Sequence, residues 1–163
     1  MPYPSAEAAV RALGGRTIAV AESLTGGYVC GALASVPGVS AILRGGVVAY
    51  SPDAKAGLLG VDPGLIARGG TVQREVALQM AEGVAIALDA QFGLGTTGIA
   101  GPGPSEGHEA GECFIAVIDR GSGAREVRFH RFDGNREQVR RSCETEALQI
   151  LSQFAEQIRP NAC

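Results

Sequence analysis

Three short stretches carry the residues able to do chemistry: Glu22 to Gly27, Tyr50 to Lys55, and Thr97 to Gly103. Each follows an apolar run that reads as a strand, and each is more polar or glycine-rich than a connector needs. In open α/β sheets ligands bind beyond the carboxyl ends of the strands, so these three turns together are the expected site. In the first, Ser23 follows the strand directly and Thr25-Gly26-Gly27 would open a helix. Backbone N–H groups at such a terminus can hold a phosphate or an oxyanion, and the helix dipole favours negative charge. An equal alternative is that Ser23 or Thr25 merely caps the helix. Lys55 is the one lysine among 14 basic residues; the others are all arginine. Arginine cannot act as a base at neutral pH, whereas a lysine can if burial lowers its pKa from about 10.4 toward neutrality. Chance loss of surface lysines would leave the same composition.

Other motifs fail on their context. Gly93-Leu94-Gly95-Thr96-Thr97-Gly98 matches G-x-G-x-x-G, but dinucleotide binding needs that motif to open a helix. Pro102 and Pro104 follow at once and forbid one. No Gly-Lys-Ser/Thr occurs, and alanine and threonine stand where the glycines of a hydrolase G-x-S-x-G elbow belong. The four cysteines, Cys30, Cys113, Cys143 and Cys163, are scattered, and with only His108 and His130 they give no metal-ligand spacing. They read as reduced thiols packed as small apolar groups. No metal and no cofactor is expected.

The elements that must position these turns are legible from patterning. Ser5 to Leu13 predicts a helix capped by Ser5 and stopped by Gly14-Gly15. Thr17 to Val20 predicts a buried strand, followed after the first turn by a helix to Ser35. Gly45 to Tyr50 predicts a second strand and Ser51 to Leu58 a short helix. Val72, Val76, Met80, Val84 and Leu88 recur every four residues and predict the clearest helix, after Gly69-Gly70. Phe92 to Thr97 is a third strand, followed by the Gly/Pro-rich loop Gly98 to Gly111. Cys113 to Ile118 and Val127 to Phe132 predict strands joined as a hairpin across Arg120 to Gly123. Asn135 with Gln138 is a capping-box signature opening a last helix, striped by Val139, Cys143, Ala147, Ile150 and Phe154. This order predicts a three-layer α/β/α sandwich with a mixed, mostly parallel sheet.

A chain of 163 residues fits one domain, here 1–163 with a core over about 5–158, and a fold of that size removes about 70% of its unfolded surface from water. Hydrophobic residues make up 45% and charged residues 19%, which excludes a disordered chain. Aromatics are 5% with no Trp, which disfavours base stacking, and a net charge of −3 has the wrong sign for binding phosphate backbones. No apolar run nears the roughly 20 residues that span a bilayer, and Met1 to Gly15 lacks a leader pattern. The expectation is a soluble cytoplasmic domain with no nucleic-acid or membrane partner; assembly as a homo-oligomer stays open.

Ala21-Glu22-Ser23-x-Thr25-Gly26-Gly27, Val48-x-Tyr50-Ser51-x-x-x-Lys55 and Thr97-Gly98-Ile99-Ala100-Gly101-Pro102, with Gly134-x-Arg136-x-x-x-Arg140 later, resemble the CinA C-terminal domain family, the nicotinamide-nucleotide amidases. The resemblance runs over roughly residues 5 to 158. It implies an anticodon-binding-domain-like α/β/α fold and hydrolysis of the carboxamide of nicotinamide mononucleotide to nicotinate mononucleotide and ammonia, without a cofactor, in pyridine nucleotide salvage. It makes Ser23 the nucleophile, Lys55 the base and Tyr50 a hydrogen-bonding relay between them. Backbone N–H groups near Thr25-Gly26 would hold the oxyanion, with Thr97 a side-chain contributor and Gly27 among the substrate-binding residues. Gly98 and Gly101 would bind the substrate, with Arg136 or Arg140 as the charge partner of its phosphate. The family's longer members carry a preceding metal-dependent pyrophosphatase domain, and that activity is expected to be missing here. The chain departs from the family at Gly103-Pro104-Ser105, at His108 to Gly111, at Gln73 and at Asn135. A non-catalytic nucleotide-binding or regulatory module, and an amidase for a different carboxamide, are the alternatives.

Overall fold

Alternating side-chain size along the central strands decides which helices can cover each face of the sheet. In a computed structural model, which describes residues 3–159, five strands are ordered β2-β1-β3-β4-β5. Their ranges are β1 Ile18–Glu22, β2 Leu43–Val48, β3 Phe92–Gly98, β4 Glu112–Asp119 and β5 Arg125–Arg131. β1 pairs in parallel with β2 and β3, while β4 runs antiparallel to β3 and to β5. The sheet is therefore mixed, and four of its strands still point the same way. β1, β2 and β3 end together, and β4 begins beside the end of β3, Gly98 pairing with Cys113.

Large side chains fill one face. Ile18, Val20, Phe92, Leu94, Ile115 and Val117 pack against α1 (Pro4–Leu13), α2 (Tyr28–Ala34) and α6 (Arg136–Gln157). Small residues occupy the other. Ala19, Ala21 and Ala116 meet α5 (Arg74–Ala87), beside α3 (Pro52–Leu59) and α4 (Pro63–Gly69). The glycines of the G-x-G-x-x-G segment serve this contact: a Cβ on Gly93 would lie 2.0 Å from the Ala81 carbonyl oxygen, and one on Gly95 2.4 Å from that of Ala77. They are spacers between a strand and a helix, with no phosphate turn, so the motif's context was the right guide.

Two local expectations are corrected. Ser5 does not cap α1: the N-cap position is Tyr3, without a side-chain bond, and Pro4 starts the helix because its fixed φ already suits the first turn. The helix after Gly69-Gly70 begins at Arg74, since Gln73 is still extended (φ −143°, ψ 152°), so Val72 is buried ahead of it and Leu88 closes it. α4 had no apolar signature because it buries none of its residues. The capping box of Asn135 and Gln138 is present, and all five residues of the α6 stripe are buried. Cys30, Cys113 and Cys143 are free thiols; Cys163 lies outside the described residues. Among the described residues no helix is long and apolar enough to cross a membrane.

Candidate active site

The first turn is built by a residue whose part the sequence did not suggest. Glu22, the last residue of β1, is buried (1% exposed). Its carboxylate accepts the backbone N–H groups of Gly27 (3.1 Å), Val29 (3.1 Å) and Cys30 (2.8 Å). It thus occupies the start of α2, where neither Ser23 nor Thr25 acts as cap. The Gly26 N–H is also spent, donating to the Ser23 carbonyl at 3.0 Å. The N–H groups of Gly26 and Gly27 are therefore committed inside the turn and not presented to a ligand. Among the described residues those of Leu24 and Thr25 donate to no protein acceptor.

The same turn is pinned to β3. The Ser23 N–H donates to the Thr96 carbonyl at 3.1 Å, and the Thr25 and Thr96 hydroxyls share a 2.8 Å hydrogen bond. This leaves the Ser23 side chain, 7% exposed, facing the mouth of the sheet. Thr97 is turned inward: its hydroxyl donates to the Thr71 carbonyl at 2.8 Å. It is buried and not in the pocket wall, so it presents no free hydroxyl there.

Lys55 comes from α3, which Ser51 caps by accepting the Ala54 N–H at 3.1 Å and Pro52 opens. Its side chain is buried (1% exposed) and its Nζ donates to Ser23 Oγ at 3.0 Å, to the Ala49 carbonyl at 2.8 Å and to the Tyr50 carbonyl at 3.4 Å. Burial pushes its pKa from 10.5 down to about 8, with the negative charge of Glu106 pulling the other way. Once neutral, an amine donating to the two carbonyls aims its lone pair at the serine hydroxyl.

The Tyr50 side chain does not lie between Ser23 and Lys55. It is 57% exposed, and its hydroxyl accepts Arg136 Nη2 at 2.7 Å. The relay expected of it is corrected: Lys55 reaches Ser23 directly, and what Tyr50 gives the lysine is a backbone carbonyl. Arg136 Nη1 donates to the Gly101 carbonyl at 2.6 Å, which ties the start of α6 to the Gly/Pro-rich loop. A pocket of about 420 Å³ opens here, lined by Ser23, Tyr50, Glu106 and Arg136 with Gly98 and Gly101 in its wall.

Arg140 is used elsewhere. Its guanidinium donates to the carbonyls of Leu24 (2.9 Å) and Thr25 (3.3 Å) and to the Tyr28 hydroxyl (3.0 Å), over whose ring it lies at 4.0 Å. It braces the Ser23 turn from behind and is absent from the pocket wall. Of the two arginines, the structure brings Arg136 to the pocket. His108 pairs with Glu112 at 2.8 Å. Among the described residues no three His, Cys, Asp or Glu side chains are grouped as metal ligands.

A family model for the CinA C-terminal domain matches residues 5–155. A CinA-like protein of Frankia casuarinae is 44% identical over 135 residues, 83% of this chain and 31% of that protein. A putative competence-damage inducible protein of Desulforamulus reducens is 43% identical over 140 residues, 86% of this chain and 34% of that one. The chain thus spans about a third of the length of these curated relatives. Among solved structures, a competence/damage inducible protein of Agrobacterium tumefaciens superposes with a TM-score of 0.86 at 35% identity, covering 94% of this chain and 97% of that one. A CinA superfamily protein of Klebsiella pneumoniae gives 0.89 at 28% identity, covering 95% and 99%.

Proposed function

The chain belongs to the CinA C-terminal domain family, and from that premise we propose that it hydrolyses the carboxamide of nicotinamide mononucleotide to nicotinate mononucleotide and ammonia. The observation that carries this reading is the hydrogen bond between the buried Lys55 amine and the Ser23 hydroxyl at the mouth of a pocket. A carboxamide is a poor electrophile, so its hydrolysis needs a nucleophile, a base and a site for the oxyanion.

The proposed steps use the Ser23–Lys55 contact. Neutral Lys55 takes the Ser23 proton as Oγ attacks the amide carbon. The negative oxygen that forms turns toward the free N–H groups of Leu24 and Thr25. Collapse breaks the C–N bond, and the protonated Lys55 returns its proton to the departing nitrogen, releasing ammonia. Water then enters with Lys55 again as base, and the ester splits to a carboxylate and free Ser23. Arg136 holds the phosphate with charge-assisted hydrogen bonds. The reaction places the protein in pyridine nucleotide salvage in the cytoplasm, on a small-molecule nucleotide.

The direct test is to incubate purified protein with nicotinamide mononucleotide and assay ammonia, with free nicotinamide and NAD alongside. Release from the mononucleotide is expected. Its absence, with release from another carboxamide, would reassign the substrate, and silence on every carboxamide would leave a binding module.

A further inference from the structure

Two opposite charges line the same pocket without neutralising each other. Arg136 is held by the Tyr50 hydroxyl and the Gly101 carbonyl. Glu106, in the Gly/Pro-rich loop, is held by Thr71, whose N–H and hydroxyl donate to its carboxylate at 3.3 and 2.7 Å. Glu106 adopts a positive φ of 52°, a backbone conformation uncommon for a residue with a side chain. Among the described residues neither Arg136 nor Glu106 forms an ion pair, although ten ion pairs occur elsewhere. Arg136 is tied to Tyr50 and Gly101 on its side of the pocket, whereas the negative charge of Glu106 is felt at Lys55, whose pKa it raises.

A pocket with separated, unpaired charges of both signs fits a ligand carrying both. Nicotinamide mononucleotide is such a molecule: its N-substituted pyridine ring is cationic and its phosphate anionic. Resting on the reaction proposed above, we infer that the Glu106 carboxylate reads the positive charge of the ring that bears the carboxamide, while Arg136 takes the anionic end. Glu106 is then a specificity residue: it selects quaternised aromatic carboxamides over neutral ones of the same shape. The arrangement also positions the substrate, because the two charges fix opposite poles of the ligand and leave the carboxamide at Ser23.

The test uses the benzamide counterpart of the mononucleotide, in which a neutral phenyl ring replaces the pyridinium and all else is kept. Affinity for both compounds is measured by calorimetry, and kcat/KM for both at a pH above the Lys55 titration, in the wild-type protein and in Glu106→Gln. The glutamine oxygen still accepts one of the two Thr71 donors and its amide N–H can donate to the Thr71 hydroxyl oxygen, so the loop stays tied while the charge goes. The variant is expected to bind and process the pyridinium compound roughly three- to tenfold less well, with the benzamide compound unchanged. Thr71→Val, which loosens the tie and keeps the charge, should affect both compounds alike. Equal losses on both compounds in Glu106→Gln, or no loss on either, would overturn the assignment. If the mononucleotide binds without being hydrolysed, the amidase reading fails while the affinity comparison still decides the role of Glu106.

Discussion

Lys55 Nζ and Ser23 Oγ lie 3.0 Å apart in direct hydrogen-bond contact, joining residues that are 32 positions apart in the chain. The contact depends on two strand ends arriving side by side, since β1 delivers Ser23 and α3, which follows β2, delivers Lys55. Removing the serine hydroxyl should abolish turnover and little else. Ser23→Ala is expected to lower kcat by at least about a thousandfold. It leaves Lys55 its two carbonyl partners, so thermal unfolding should stay near that of the wild type. A folded Ser23→Ala protein with retained amidase activity would exclude the covalent route.

Lys55 links activity and stability to pH with a defined sign. The amine is a base only when neutral, so kcat/KM should rise with pH, half-complete near pH 8, and then level off. Stability moves the same way. The folded pKa near 8 is below the ordinary 10.5, so between these values the unfolded chain binds the extra proton and folding gains as pH rises. That gain is complete above 10.5 and lost as pH falls through 8. Relative to Lys55→Met, the wild type should therefore gain up to about 3 kcal/mol across this window in urea unfolding. Lys55→Arg should be inactive at every neutral pH, because its guanidinium stays charged.

Tyr50→Phe separates a relay from a clamp. With the hydroxyl on Arg136 and not on Lys55, its loss should raise KM for the mononucleotide less than about tenfold and leave kcat nearly unchanged. A large fall in kcat with KM unchanged would restore Tyr50 to the proton path.

Glu22 is a structural keystone of the nucleophile turn. Glu22→Ala strands three N–H groups at the start of α2 and should cost about 2–4 kcal/mol in chemical denaturation. Glu22→Gln, which keeps one acceptor oxygen, should cost about half as much. An unchanged midpoint in Glu22→Ala would mean that water replaces the carboxylate.

How much of this was legible varied with the range of the interaction. Strand runs, the α6 stripe and the Asn135–Gln138 capping box are local patterns, and they were read with errors of a few residues. Lys55 stood out as the one lysine of the chain, and Ser23 as the hydroxyl that directly follows a strand. Glu22, Thr71 and Glu106 did not, since their partners lie across turns and loops that no spacing announces. An acidic residue closing a strand just ahead of a glycine-rich helix start was the available signal for Glu22. Arg136 and Arg140 are one helical turn apart and look equivalent in sequence. The structure parts them because α6 faces the pocket at its first residue and the back of the Ser23 turn at Arg140.

That separation gives the last prediction. Arg136 lines the pocket and holds two neutral groups, so its charge is available to a phosphate. Charge-assisted contacts contribute roughly 1.5–3 kcal/mol each. A guanidinium offering one or two of them should favour nicotinamide mononucleotide over its riboside by on the order of ten- to a hundredfold or more in kcat/KM. Arg136→Ala should erase most of that preference while leaving slow riboside hydrolysis nearly intact. Arg140→Ala should do the reverse. It frees the carbonyls of Leu24 and Thr25 and uncovers the Tyr28 ring, so it should lower the melting temperature and reduce turnover of both substrates in equal proportion. Measuring both ratios in both variants decides the matter. A preference that survives Arg136→Ala and collapses in Arg140→Ala would mean that the phosphate lies behind the Ser23 turn, with the Gly101 side of the pocket left for another part of the substrate.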